Sequence, residues 1–150
     1  MEKRLQLRSA VIADLELTLE WVNNPEIRRY SFNKDYVEFE RHNNWFKEKI
    51  ASKNTLYFIA LFNSIEVGSF RADKINKEVV VSFLLDPKFQ GLGLGHLLLA
   101  SGVSEIMSKW KSISVIGFVQ PENITSAKLF EGLGFKKIEA AESLKFLLEL

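Results

Sequence analysis

The chain has 150 residues, of which 20 are Lys or Arg and 19 Asp or Glu, for a formal charge of +1. That length suits one domain with a full core, and the balanced charge argues against a general nucleic-acid binder or a membrane-surface protein. Cysteine is absent, which removes a disulfide framework, a Cys-based metal site and any acyl-cysteine intermediate.

Leu5 and Leu7 alternate within Arg4 to Arg8 as in a strand, and a helix is expected from about Ile12 to Val22, stopped by Asn23-Asn24-Pro25. Residues 26–36 read as irregular or a short helix. Phe39, His42, Phe46 and Ile50 recur at helical spacing, so a helix is expected from about Val37 to Ser52. Thr55 to Phe62 and Ile65 to Arg71 read as a hairpin across Asn63-Ser64. A strand follows after Asn76, then a helix to about Trp110, a strand from about Ile113 to Val119, and a helix beginning near Asn123. Two strands close the chain, about Lys136 to Ala140 and Ser143 to Leu150. The last one alternates, and reads as a strand able to pair across a homodimer. No apolar run could span a bilayer, and the first six residues lack the apolar core of a leader peptide, so a cytoplasmic protein is expected.

The most informative stretch is Phe89-Gln90-Gly91-Leu92-Gly93-Leu94-Gly95-His96. An apolar strand leads into it and an apolar helix leads out. A glycine turn between the two aims backbone N–H groups at one point, where the helix dipole adds positive potential, so a phosphate-bearing ligand is expected. A P-loop would need Gly-Lys-Ser/Thr, but Gly95 is followed by His96 and Leu97. A dinucleotide fingerprint would read Gly-x-Gly-x-x-Gly with an acidic residue ending the next strand, and here that strand runs into Gln120-Pro121.

Read as Gln90-x-x-Gly93-x-Gly95, the segment resembles the pyrophosphate signature of the GCN5-related N-acetyltransferases. Asn123-Ile124-Thr125-Ser126-Ala127-Lys128-Leu129-Phe130-Glu131-Gly132-Leu133-Gly134-Phe135 looks like that family's second signature helix. The resemblance covers nearly the whole chain. It implies one α+β domain over residues 1–150, with helices on both faces of a mixed, mostly antiparallel seven-stranded sheet and a splay between strands 4 and 5. It also implies acetyl-CoA as cofactor, without a metal. The pyrophosphate would sit on the amides of Gly91, Leu92, Gly93, Leu94, Gly95 and His96, with Gln90 at the mouth. Pantetheine would lie along Leu84 and Leu85, the Leu85 N–H polarising the thioester carbonyl. Asn123 and Ser126 would reach the pantetheine arm. Phe130 stands where many such enzymes carry a Tyr that protonates the departing thiolate. A thiol, with pKa of about 8.5, leaves tolerably as its anion.

The acceptor side is read from Trp21 to Asn33 and His42 to Phe46. It resembles the Trp-Arg-Asn-Asp-Pro … Ser-Phe-Asn … His-x-x-Trp-Phe pattern of acetyltransferases acting on nucleotide-linked amino sugars of the pseudaminic-acid type, with Val22 in place of the usual Arg. Arg28 and Arg29 supply cations for a diphosphate, Tyr30, Phe32 and Trp45 aromatic faces, and Asn33 an amide. His42 is the candidate base or acceptor-site residue. Trp21 and Phe46 read as core. A peptide N-terminus is the alternative acceptor, as in ribosomal-protein alanine acetyltransferases, and a non-catalytic CoA-binding module is the alternative of another class.

Overall fold

The computed structural model describes residues 4–139 and 142–150. Among these, seven strands form one sheet in the order β1-β2-β3-β4-β5-β7-β6. In chain order the elements are β1 (Leu5–Ser9), α1 (Leu15–Val22), α2 (Pro25–Arg28), α3 (Phe39–Ala51), β2 (Thr55–Phe62), β3 (Ile65–Ile75), β4 (Glu78–Leu85), α4 (Leu94–Lys109), β5 (Ser114–Val119), α5 (Ile124–Gly132), β6 (Lys136–Glu139) and β7 (Leu144–Glu149). The sheet is antiparallel except for β4 beside β5, which run parallel. The expected fold class is thus the observed one. Ala140, expected to end β6, lies outside the described residues.

Local chemistry sets the boundaries. Asn63 and Ser64 both have positive φ (51° and 65°), as a two-residue type I′ hairpin requires, and this turn joins β2 to β3. The stop at Asn23-Asn24-Pro25 is also a start. The Asn24 side chain accepts from the Glu26 N–H and Pro25 occupies the first turn of α2. Asn23 clamps the main chain of Val37, accepting its N–H at 2.8 Å and donating to its carbonyl at 2.9 Å, so α3 starts at Phe39 rather than at Val37. The expected first helix opens as a 3-10 turn, Ile12–Asp14. There the Asp14 carboxylate accepts from the Val11 N–H and from both Nη atoms of Arg8. α5 ends in a Schellman motif: Phe135 N–H reaches the Phe130 carbonyl, and Gly134 N–H, at φ 88°, reaches that of Glu131.

Two apolar clusters lie on opposite faces of the sheet. Phe58, Phe70, Val79, Val81 and Val115 pack with Leu98, Leu99, Val103 and Ile106 of α4 and Phe130 of α5. Trp21, Phe46, Tyr57 and Ile59 pack with Trp45, Ile27 and Leu84 on the α1–α3 side. Trp21 and Phe46 are core residues, 3% and 0% exposed. The final strand does not present a free edge for a second copy: β7 is paired with β5 on one side and β6 on the other. The sheet ends at β1 and β6. Among the described residues no helix is long and apolar enough to cross a membrane.

Candidate active-site cleft

The pairing of β4 with β5 runs from Glu78–Ser114 to Val81–Gly117 and stops there. Beyond it the two strands part, leaving Ser82–Leu85 without a neighbour on the β5 side. Strand alternation decides which main-chain groups face that gap. Asp86 N–H bonds to the Val67 carbonyl, so even-numbered residues of β4 turn toward β3, whereas the Lys77 carbonyl accepts from Ser114, so odd-numbered ones turn toward β5. Phe83 and Leu85 therefore offer their N–H and C=O groups to the gap. Leu84 does not: its carbonyl points at Gly68, where an added Cβ would lie 2.2 Å from it. The expectation for Leu85 fits this geometry. That for the Leu84 backbone is corrected, its amide being engaged with β3 and its side chain turned to the α1–α3 face.

At the open end of the gap the chain turns into α4. Asp86 caps the short turn Pro87–Phe89 by accepting from the Lys88 N–H, and its other oxygen accepts from Trp21 Nε1 at 3.0 Å. Gly91 and Gly93 have φ of 80° and 76°, left-handed values that a glycine adopts without strain. Gly93 is the N-cap of α4. The amides of Gly93, Leu94, Gly95 and His96 have no intrahelical acceptor by helix geometry, and they sit at the positive end of a 16-residue helix.

One cleft of about 990 Å³ joins this helix start, the gap and the α1–α3 side. Of the expected cofactor positions, Leu84, Leu85, Gln90, Gly91, Gly93, Leu94, Gly95, His96, Asn123, Ser126 and Phe130 line it, and Leu92 does not. Asn123 caps α5, its carbonyl oxygen accepting from the Ser126 N–H at 3.3 Å. Phe130 is 2% exposed and stacks on Phe146 (5.3 Å, 8° between planes), with Phe83 and Phe135 edge-on.

On the acceptor side Arg28, Tyr30, Phe32, Asn33, His42 and Trp45 line the cleft. Arg29 points away from it, 63% exposed, 3.7 Å from Glu26 and over the Tyr30 ring. The Arg28 guanidinium donates to the carbonyls of Val22 and Asn33, while among the described residues its buried Nε has no partner. Burial lowers its pKa and Asp35 opposes that, but the group stays cationic. His42 is 2% exposed, with Nε2 2.9 Å from Thr18 Oγ1. The Thr18 hydroxyl has one proton and carbonyl partners at Asp14 and Leu15, so it accepts from a protonated Nε2 in the neutral ring. Burial holds the His42 pKa below its usual value, against a smaller opposing contribution from the Leu15 carbonyl.

The sequence reading missed the sheet floor. Tyr57, Arg71 and Ser82 stand opposite one another on β2, β3 and β4, and all three line the cleft with Ser69. Burial pushes the Tyr57 hydroxyl up to about 12, so it holds its proton at neutral pH and serves as a hydrogen-bond donor. Arg71 lies 4.8 Å from the Trp45 ring centre. Among the described residues no group of three or more His, Cys, Asp or Glu gathers as a metal site would.

A glycine-turned helix start beside a gap in a mixed sheet defines an acyltransferase-type fold. The sequence pattern of the family described as acetyltransferase (GNAT) domain matches residues 4–136, and the chain belongs to that family. It is similar to an uncharacterised protein of Methanocaldococcus jannaschii, 25% identical over 160 residues, a match that covers 99% of this chain but 31% of that protein. Among solved structures, a domain from Methanocaldococcus jannaschii superposes with a TM-score of 0.87 at 23% identity, over 99% of this chain and 100% of the other. A spermidine N-acetyltransferase from Vibrio cholerae, in complex with CoA and spermine, gives 0.88 at 18% identity, over 97% and 95%.

Proposed function

We propose that the protein moves acetyl from acetyl-CoA directly to the primary amine of a UDP- or dTDP-linked amino sugar. Acetyl-CoA, when bound, supplies the activated acetyl group and a thiolate leaving group. The residues present fit it: the amides at the start of α4 suit a pyrophosphate, and the exposed main chain of Phe83 and Leu85 suits the two amides of a pantetheine arm, which would extend the sheet as an added strand. The Leu85 N–H would then polarise the thioester carbonyl. The observation that carries the reading is the continuity of this gap with a second chamber walled by Arg28 and by the rings of Tyr30, Phe32, Trp45 and Tyr57. A cation and aromatic faces suit a nucleotide sugar, and the cation opposes a polyamine.

The amine must be neutral to attack. A sugar amine with pKa of roughly 8 needs little help, and His42, neutral because buried, accepts its proton through water. Phe130 offers no proton, so the thiolate would depart as its anion. The test is free-thiol release with acetyl-CoA and a panel of UDP-amino sugars, a polyamine and an N-terminal peptide. Turnover on the nucleotide sugars is expected. Reaction with the peptide or the polyamine alone would refute the acceptor assignment, and CoA binding without thiol release on any acceptor would refute the transfer.

A further inference from the structure

The acceptor chamber holds a second guanidinium that the reading above does not use. Arg71 rises from the middle of β3 and is fixed on three sides. Its Nε donates to Asp73 Oδ2 at 2.8 Å, its Nη2 to Ser82 Oγ at 3.3 Å, and Trp45 lies beneath it. Among the described residues, three of its five N–H bonds remain for a ligand. Asp73 does not neutralise it fully, because the same carboxylate accepts from Lys49 Nζ at 2.9 Å and from Thr55 Oγ1 at 2.9 Å. Two cations thus share one carboxylate. Burial pushes Asp73 up, but Arg71, Lys49 and Thr55 together outweigh this and hold it below its usual value, so it is ionised at neutral pH. Asp73 itself does not line the cleft; the acidic residues that do are Glu26, which sits near Arg29, and Asp35, which acts on Arg28.

We propose that Arg71 is an anion anchor for the acceptor, binding one phosphate of its diphosphate bidentately from the sheet floor while Arg28 faces the same chamber from α2. This rests on the nucleotide-sugar reading. Asp73, with Lys49 and Thr55, acts as a positioning group that keeps the guanidinium over Trp45. An arginine clamped in this way loses little freedom on binding and presents a preformed fork to two phosphate oxygens, which a lysine could not match.

The experiment compares wild type with Arg71→Met, Arg71→Lys and Asp73→Asn on a UDP-amino sugar and on the free amino sugar. Arg71→Met should raise KM for the UDP-amino sugar by about 10- to 100-fold, the range of a lost charge-assisted contact. The free sugar should change by less than about twofold. Arg71→Lys should fall between, and Asp73→Asn should move KM in the same direction with kcat nearly unchanged. Equal losses on both sugars would overturn the proposal. As an independent readout, UDP is titrated into CoA-saturated protein, whose phosphate loop is already filled, and followed by tryptophan fluorescence. Saturable binding that disappears in Arg71→Met supports the anchor even if no sugar is acetylated, a result that would sink only the acceptor assignment. Absence of UDP binding to wild type, or binding unchanged in Arg71→Met, overturns it.

Discussion

Gly117 gives the sharpest test of how the gap is built. It is the last β5 residue paired with β4. A Cβ there would lie 2.3 Å from Phe130 Cζ and 2.5 Å from Cε1, against an ordinary carbon–carbon contact of about 3.5–4.0 Å. In Gly117→Ala the ring must retreat by roughly 1 Å, but Phe146 stacks on it and Phe83 and Phe135 meet its edges. Overpacking of this kind costs about 1–3 kcal/mol, and the blocked retreat puts Gly117→Ala at the upper end. For a chain of this size that corresponds to a fall of roughly 6–12 °C in Tm. Thermal and urea unfolding should be measured for Gly117→Ala, Phe130→Leu and the double variant. The double variant should be more stable than the sum of the single effects predicts, by about 1 kcal/mol or more, because the smaller side chain vacates the space. A Gly117→Ala Tm within about 2 °C of wild type, or strict additivity, would refute the packing argument. CoA affinity measured calorimetrically should also fall in Gly117→Ala, since Phe130 lines the cleft.

Gly93→Ala forces an alanine to φ 76° at the N-cap of α4, at a cost of roughly 1–2 kcal/mol; CoA affinity in titration calorimetry should drop more than unfolding stability, and equal affinity would exclude a phosphate cradle there. His42 titrates below its unfolded value because it is buried, so the unfolded chain takes up its proton first and stability falls as pH drops below about 6.5. Urea midpoints should decline from pH 7 to 5 in wild type and less in His42→Gln, and parallel curves would contradict the burial argument.

What could be read from residues alone was the chemistry carried by backbone. The glycine turn at Gly91 and Gly93, the Asn123 cap and the Gly134 stop each impose a local geometry that a short stretch of sequence spells out. Tyr57, Ser69 and Arg71 left no such trace. They alternate with Phe58 and Phe70 along ordinary-looking strands, and only the pairing of β2 with β3 and of β3 with β4 sets them in rows across the chamber floor. Pairing between distant segments is not written in any one of them. Alternation also settled Leu84 against Leu85, a distinction that required knowing which neighbour claimed Asp86. Asn23 and Asn24 showed the opposite limit: their composition announced a turn, but not that one would clasp Val37 and the other launch α2.

Trp21 of α1 reaches Asp86, the residue whose other oxygen shapes the chain just before the glycine turn. The α1–α3 layer is therefore tethered to the segment that leads into the start of α4. Removing that one indole–carboxylate bond would uncouple the position of α1 from that of the segment leading into the glycine turn.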